Sequence, residues 1–215
     1  LSYILDTDMA PFGHPGQPRL TPLPAEQWDA RAREMLCGRV GLADRYLSGA
    51  PDAPPMPNVL GLFGHHIELG SAWLAYNGTL LDRPAIEPRH RELVILRIAW
   101  CSRARYEWMQ HARLALNCDI TAAEVEAVTR GPADASWSPV ERLLLSATDE
   151  LLGEYRVRDQ TWSSLTTHFD ARQLIEILFV AGSYLCLALV FNSVGLQPDS
   201  AMEQTFAPPE IKEQP

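Results

Sequence analysis

Apolar residues recur along this chain at helical rather than strand intervals. Trp28, Ala32, Met35 and Leu36 mark a helix that opens near Pro24, a residue suited to the first helical position. The Pro-rich stretch from Gly49 to Pro57 breaks the chain, and Asn58 is placed to cap a helix running through Phe63, Ile67, Leu69 and Leu74 to about Leu81. Pro84 and Pro88 frame the next start. From Arg89 the run His-Arg-Glu-Leu-Val-Ile-Leu-Arg-Ile-Ala-Trp is apolar with its polar residues set at helical spacing. A turn near residues 102–105 then leads into a helix from Tyr106 to Asn117.

Three capping boxes punctuate the second half: Thr121 with Glu124, Ser138 with Glu141 behind Pro139, and Asp170 with Gln173. They predict helices over 122–130, 139–152 and 171–194, with a shorter one over 160–168. No stretch alternates apolar and polar residues over strand length. The expected fold class is all-α, about eight helices with short connections. Residues 1–22, rich in Pro and Gly, read as an irregular arm, 23–195 as a single domain and 196–215 as a tail.

Composition narrows the function. The chain has 215 residues, 47% hydrophobic and 21% charged, the balance of a globular protein rather than a disordered one. Eighteen basic against 27 acidic residues give a net charge of −9. That balance argues against nucleic acid and against an anionic membrane surface as partners, since both need clustered cations. The first ten residues carry Asp6 and Asp8 and no basic stretch of a secretory signal. The longest uncharged apolar run, Ile177 to Phe191, is shorter than a bilayer span and reads as a buried core helix. Cys37, Cys101, Cys118 and Cys186 form no Cys-x-x-Cys pair, so reduced thiols and a cytoplasmic setting are expected. His65 and His66 are adjacent, about 100° apart on a helix, and make a poor pair of ligands. No metal and no cofactor are expected.

The segment from Glu92 to His111 holds the densest chemistry. Glu107 and His111 are four residues apart and share a helix face. A carboxylate beside an imidazole suits proton transfer near neutral pH, although the same spacing also fits a solvated surface pair. Tyr106 and Trp108 flank the pair and are placed to exclude water. A carboxylate-bearing substrate needs a cation, and Arg97, Arg103 and Arg105 are the local candidates. Tyr184 and Asn192, on the last long helix, are candidates to line the same pocket.

The run from Arg91 to Arg97, followed by Tyr-Glu-Trp-Met-Gln-His at 106–111, resembles the carboxymuconolactone decarboxylase / alkylhydroperoxidase D-like family. The resemblance implies an all-helical bundle, a small-molecule substrate and a homo-oligomer (dimer, trimer or hexamer). It also hints that His66 faces the pocket. The peroxidase branch of that family carries Glu, then eleven residues, then Cys-x-x-Cys-x-x-x-His. Counted from Glu92, those cysteine positions fall on Ala104 and Glu107, and the histidine on His111. A dithiol relay is therefore absent, and the decarboxylase-like branch is the better match.

The expected reaction is cofactor-independent proton transfer on an unsaturated lactone or an enolisable carboxylic acid. His111 is the general acid/base and Glu107 its orienting carboxylate. Glu92 is either a relay carboxylate or an ion-pair partner of Arg91, Arg97 or a neighbouring chain. The aromatic setting leaves room for two alternatives: recruitment to cyclise or dehydrate a larger metabolite, or a non-catalytic binding protein that kept the fold. The binding protein would leave Glu107 and His111 without a cavity beside them.

Overall fold

The structure, a computed structural model, describes residues 17–200 and 202. Residues 1–16 of the expected arm, and residue 201 with 203–215 of the expected tail, lie outside the described residues. Among the described residues there are ten α-helices and no strand: α1 Ala30–Cys37, α2 Ala43–Tyr46, α3 Asn58–Phe63, α4 Ile67–Asp82, α5 Pro88–Cys101, α6 Arg105–Ala115, α7 Ala122–Arg130, α8 Pro139–Glu154, α9 Asp159–Leu165 and α10 Ala171–Val194.

Helix α5 is the axis of the fold. It packs against α6, α7, α8 and α10, which explains why its apolar residues cover every face rather than one stripe. Leu93, Val94, Ile95, Leu96, Ile98 and Ala99 are all fully buried. The start of α5 is fixed by Pro88 at its first turn and by Glu176 of α10, whose carboxylate accepts from the backbone N–H groups of Ala85 and Ile86. A second, smaller core gathers Trp28, Leu36, Ala43 and Leu60 beneath α1–α3.

All three capping boxes form, each with both reciprocal bonds. Arg89 joins two of them. Its guanidinium bonds Glu141 at 2.6 Å, Glu124 and the Asp119 carbonyl, tying the starts of α7 and α8 to α5.

Two expected helices differ from the sequence reading. The first begins as a short 3-10 turn at Ala25–Gln27, and the α-helix starts only after Asp29, whose side chain accepts from the Ala32 N–H. The helix expected over 58–81 is broken by a 3-10 turn at Gly64–His66. A Cβ on Gly64 would lie 2.9 Å from the Trp28 ring, so glycine is what lets the indole seat there. Asn58 does not cap α3; its amide donates instead to the Gln197 carbonyl at 2.9 Å. At the other end, Gly195 takes the left-handed conformation (φ 68°) that ends α10. The backbone N–H of Arg19 then donates to the Val194 carbonyl at 2.7 Å, pinning the start of the described chain there.

Helix α10 has 24 residues and is, by length and composition, apolar enough to cross a membrane, which the shorter uncharged run in the sequence did not indicate. Half of its most apolar window is buried against the rest of the protein. It packs on α4, α5 and α6 as a core helix.

Candidate active site

A cavity of about 440 Å³ lies between α4, α5, α6 and α10. Val59, Phe63, Trp73, Leu74, Leu81, Leu114, Leu187 and Phe191 make most of its wall apolar. The polar groups cluster at one end: Arg91 and Glu92 from α5, Tyr106, Glu107, Gln110 and His111 from α6, Asn77 from α4 and Tyr184 from α10. Helices α5 and α6 form a hairpin whose turn holds Arg103 in the left-handed region (φ 58°), which returns α6 alongside α5 and sets His111 against Glu92.

His111 is paired with Glu92. Its Nδ1 lies 2.7 Å from Glu92 Oε2, and both side chains are buried. Burial alone would raise the Glu92 pKa, but the charge and hydrogen bond of His111, together with Arg91, outweigh it and hold the carboxyl below its ordinary value. Glu92 is thus an anion, and it fixes the Nδ1–H tautomer. Nε2 has no protein partner among the described residues and is left for the cavity. The Tyr184 ring stands edge-on to the imidazole, 4.9 Å between centroids and 88° between planes.

The expected Glu107–His111 pair is not the one that forms. Glu107 is 2% exposed, and neither carboxylate oxygen has a hydrogen-bond partner. Desolvation pushes its pKa well above 4.5. Its place in the first turn of α6 favours the anion, but by only about 0.3–1 kcal/mol. An unpaired buried carboxylate costs several kcal/mol, so Glu107 is a neutral acid at neutral pH. The carboxyl that holds the imidazole is Glu92, not Glu107 as expected, and the Glu107 carboxyl stays buried without a hydrogen-bond partner among the described residues.

Tyr106 and Tyr184 line the cavity as expected. Burial raises both phenols, so both remain protonated donors. Tyr106 donates to Asp199 at 3.0 Å, while Asn77, on the facing helix, opposes the rise at Tyr184 without outweighing burial.

Four other expected site residues are elsewhere. Arg97 is committed to Asp149 by two bonds of 2.6 and 2.9 Å and to the Val128 carbonyl at 2.8 Å. Trp108 is buried in the core beside Trp100, 5.4 Å between rings, because it points about 100° around α6 from Glu107. His66 ends the 3-10 turn, accepts from the Leu69 N–H and is exposed, since the helix break turns it outward. Asn192 is exposed and donates to the Ser102 carbonyl at 2.7 Å. The cation at the cavity is Arg91, which the sequence offered only as an ion-pair partner. Asn77 and Gln110 were not singled out as site residues, and Cys118 was considered only as a thiol outside the missing redox pair. A polar residue inside the apolar run of α4 was the available signal for Asn77.

No thiol takes the place of the missing pair. Cys118 lines the cavity, but desolvation and the charge of Glu92 raise its pKa. Cys101 lies against Asp149 and is pushed up to about 11, by desolvation above all. Among the described residues no group of three or more His, Cys, Asp or Glu side chains is placed to hold a metal ion.

The described residues thus form an all-helical bundle in which a buried Glu–His pair and an unpaired buried glutamic acid lie at one end of an apolar cavity. Residues 68–150 match the carboxymuconolactone decarboxylase family, and that match contains Asn77, Arg91, Glu92, Glu107 and His111. That segment resembles the family over less than half of the chain, and the chain as a whole has an alkylhydroperoxidase D-like fold. No curated protein matches its sequence.

Among solved structures, a peroxidase-related protein from Ralstonia eutropha JMP134, described as an alkylhydroperoxidase AhpD core, aligns with TM-score 0.71 at 15% identity, covering 86% of this chain and 94% of that one. The debrominase Bmp8, solved with 2,3,4-tribromopyrrole, aligns with TM-score 0.66 at 14% identity, covering 85% and 92%. A peroxidase-related protein from Silicibacter sp. TM1040 aligns with TM-score 0.64 at 18% identity, covering 87% and 92%. At these identities the likeness is one of fold.

Proposed function

We propose that this chain is a cofactor-independent lyase or isomerase that moves a proton on the carbon skeleton of an unsaturated lactone or enolisable acid. The observation that supports it is the presence, in one apolar cavity, of an imidazole with a free Nε2 and a carboxylic acid kept neutral by burial. His111 Nε2 removes a proton from a carbon next to the carbonyl, and the Glu92 anion stabilises the imidazolium that forms. Glu107 donates a hydrogen bond to the carbonyl oxygen as it becomes an enolate, a charge that a dry site stabilises strongly. The imidazolium then returns the proton to the conjugated carbon. If the enolate arises by loss of CO2, no proton is first removed: His111 must enter protonated, deliver its Nε2 proton to carbon and regain one from solvent.

The cavity beside both groups supports an enzyme over a binding protein. The missing Cys-x-x-Cys pair and the raised thiol pKa values weigh against a peroxidase. The same constellation would also serve a cyclisation or dehydration of a larger metabolite, which the apolar wall accommodates.

The domain proposed over 23–195 is active as a homo-oligomer in a cytoplasmic setting. On α10, Ile175, Phe179, Gly182, Cys186 and Leu189 repeat at alternating four- and three-residue steps on the exposed side. That is the seam spacing by which one helix packs along another, and it fits α10 of a second copy.

The test is deuterium exchange in D2O followed by NMR, with a panel of γ-lactone acids and cyclic enones. Deuterium entry or CO2 release with wild type, lost in His111→Ala while its circular dichroism is unchanged, is the expected result. Full activity in His111→Ala refutes the mechanism.

A further inference from the structure

Arg91 is buried, yet among the described residues the only hydrogen-bond partner of its guanidinium is Glu92, through Nε at a long 3.4 Å. Glu92 already gives its other oxygen to His111 at 2.7 Å. The terminal nitrogens of Arg91 have no hydrogen-bond partner among the described residues, and they are not sealed away from the cavity that Arg91 lines. Its positive charge acts on both Tyr184 and Cys118, which places it at the polar end of that cavity. A nearly buried guanidinium with two idle forks is a receptor for one anion, and a carboxylate matches its planar geometry.

The rest of the lining sets the count. Glu107 is neutral, Glu92 is negative, and the remaining wall is largely apolar. Beyond Arg91, the described lining offers a second carboxylate no other permanent cation, and Glu92 would repel it.

Resting on the proton-transfer reading, we infer that the substrate is a monoanion: one carboxylate, held by Arg91 throughout the reaction, attached to an apolar body that fills the remainder of about 440 Å³. Cavities of this size suit ligands of roughly drug-like dimensions. A compact dicarboxylate lactone leaves most of that apolar wall empty and brings one charge too many. A carboxylate bonded by a buried guanidinium is also stabilised as the anion, which opposes its departure as CO2. The retained carboxylate is therefore an anchor. The reacting carbon lies beyond it, toward His111 and Glu107, and isomerisation is favoured over decarboxylation.

Binding, rather than turnover, tests this. Quenching of tryptophan fluorescence, with Trp73 in the cavity wall, is titrated with three probes: 1-naphthaleneacetate, its neutral amide, and a naphthalene dicarboxylate. Wild type is expected to bind the monoanion about ten- to a hundred-fold more tightly than either of the others, the range of a charge-assisted hydrogen bond. Arg91→Met is expected to bind acid and amide equally, and Arg91→Lys to keep part of the preference. Equal binding of acid and amide by wild type, an undiminished preference in Arg91→Met with its melting curve intact, or no saturable binding of the acid up to millimolar concentration each overturns the inference. His111→Ala retains the probe preference if Arg91 is the anchor. A failure of proton transfer and a failure of the anion site therefore give different results.

Discussion

Replacing Glu107 by Gln should make the protein gain on wild type as the pH rises. The buried carboxyl is protonated in the folded state well above 4.5, whereas in the unfolded chain it ionises near its ordinary value. Between those two values the folded state binds more protons than the unfolded state. Stability then falls as pH rises, by about 1.4 kcal/mol per pH unit for this one group. Gln is close to isosteric with the neutral acid and does not titrate, so its contribution is flat. It still buries an unpaired amide at a cost of about 1–3 kcal/mol, but that cost is the same at every pH.

The difference in melting temperature between variant and wild type should therefore shift in favour of the variant by about 3–6 °C for each pH unit inside the window, for a chain of this size. Thermal melts of both proteins at pH 5, 6, 7 and 8, at constant ionic strength, measure it. Parallel lines, or a variant that loses ground with rising pH, would show that Glu107 is ionised in the fold. The hydrogen-bond-donor role proposed for Glu107 would then fall with it. Because an amide is a weaker donor than a carboxylic acid toward the forming enolate, the same variant should also lose catalysis by up to roughly 10²-fold.

Other perturbations separate the parts of the molecule. Glu92→Gln removes the anion that stabilises the imidazolium, and turnover should fall about 100-fold with the fold retained, read by kcat and circular dichroism. Leu189→Arg places a charge in the exposed seam of α10, and light scattering should report a smaller assembly than wild type. Arg89→Met uncouples the starts of α7 and α8, and the melting temperature at pH 7 should drop by about 5–10 °C. Glu124, held down to about 2 chiefly by its hydrogen bond to Arg89, contributes stability above its unfolded value that is lost as pH falls toward 2. The Arg89→Met variant should accordingly lose less than wild type between pH 4.5 and pH 2.

The helices of this protein were legible because their signals are local. A capping box satisfies orphan N–H groups with side chains three residues away, so the starts at Thr121, Ser138 and Asp170 are written in sequence and appear as read. That Glu107 and His111 share a face of one helix is likewise a matter of 3.6 residues per turn. What a face meets is not local. Arg91 and Arg97 lie on the same helix, six residues and about 120° apart. Only the packing of α5 between α8 and α10 decides that Arg97 is spent on Asp149 while Arg91 faces the cavity.

The charge of a carboxyl is set by its surroundings and not by its spacing. Glu92, which meets an imidazole across the α5–α6 hairpin, is an anion; Glu107, which meets none, is a neutral acid. Sequence supplied two carboxyls and an imidazole, and tertiary structure determined which carboxyl pairs with the imidazole and which is buried without a partner. Burial and partner distance set the two pKa values in opposite directions, and both depend on helices far apart in the chain.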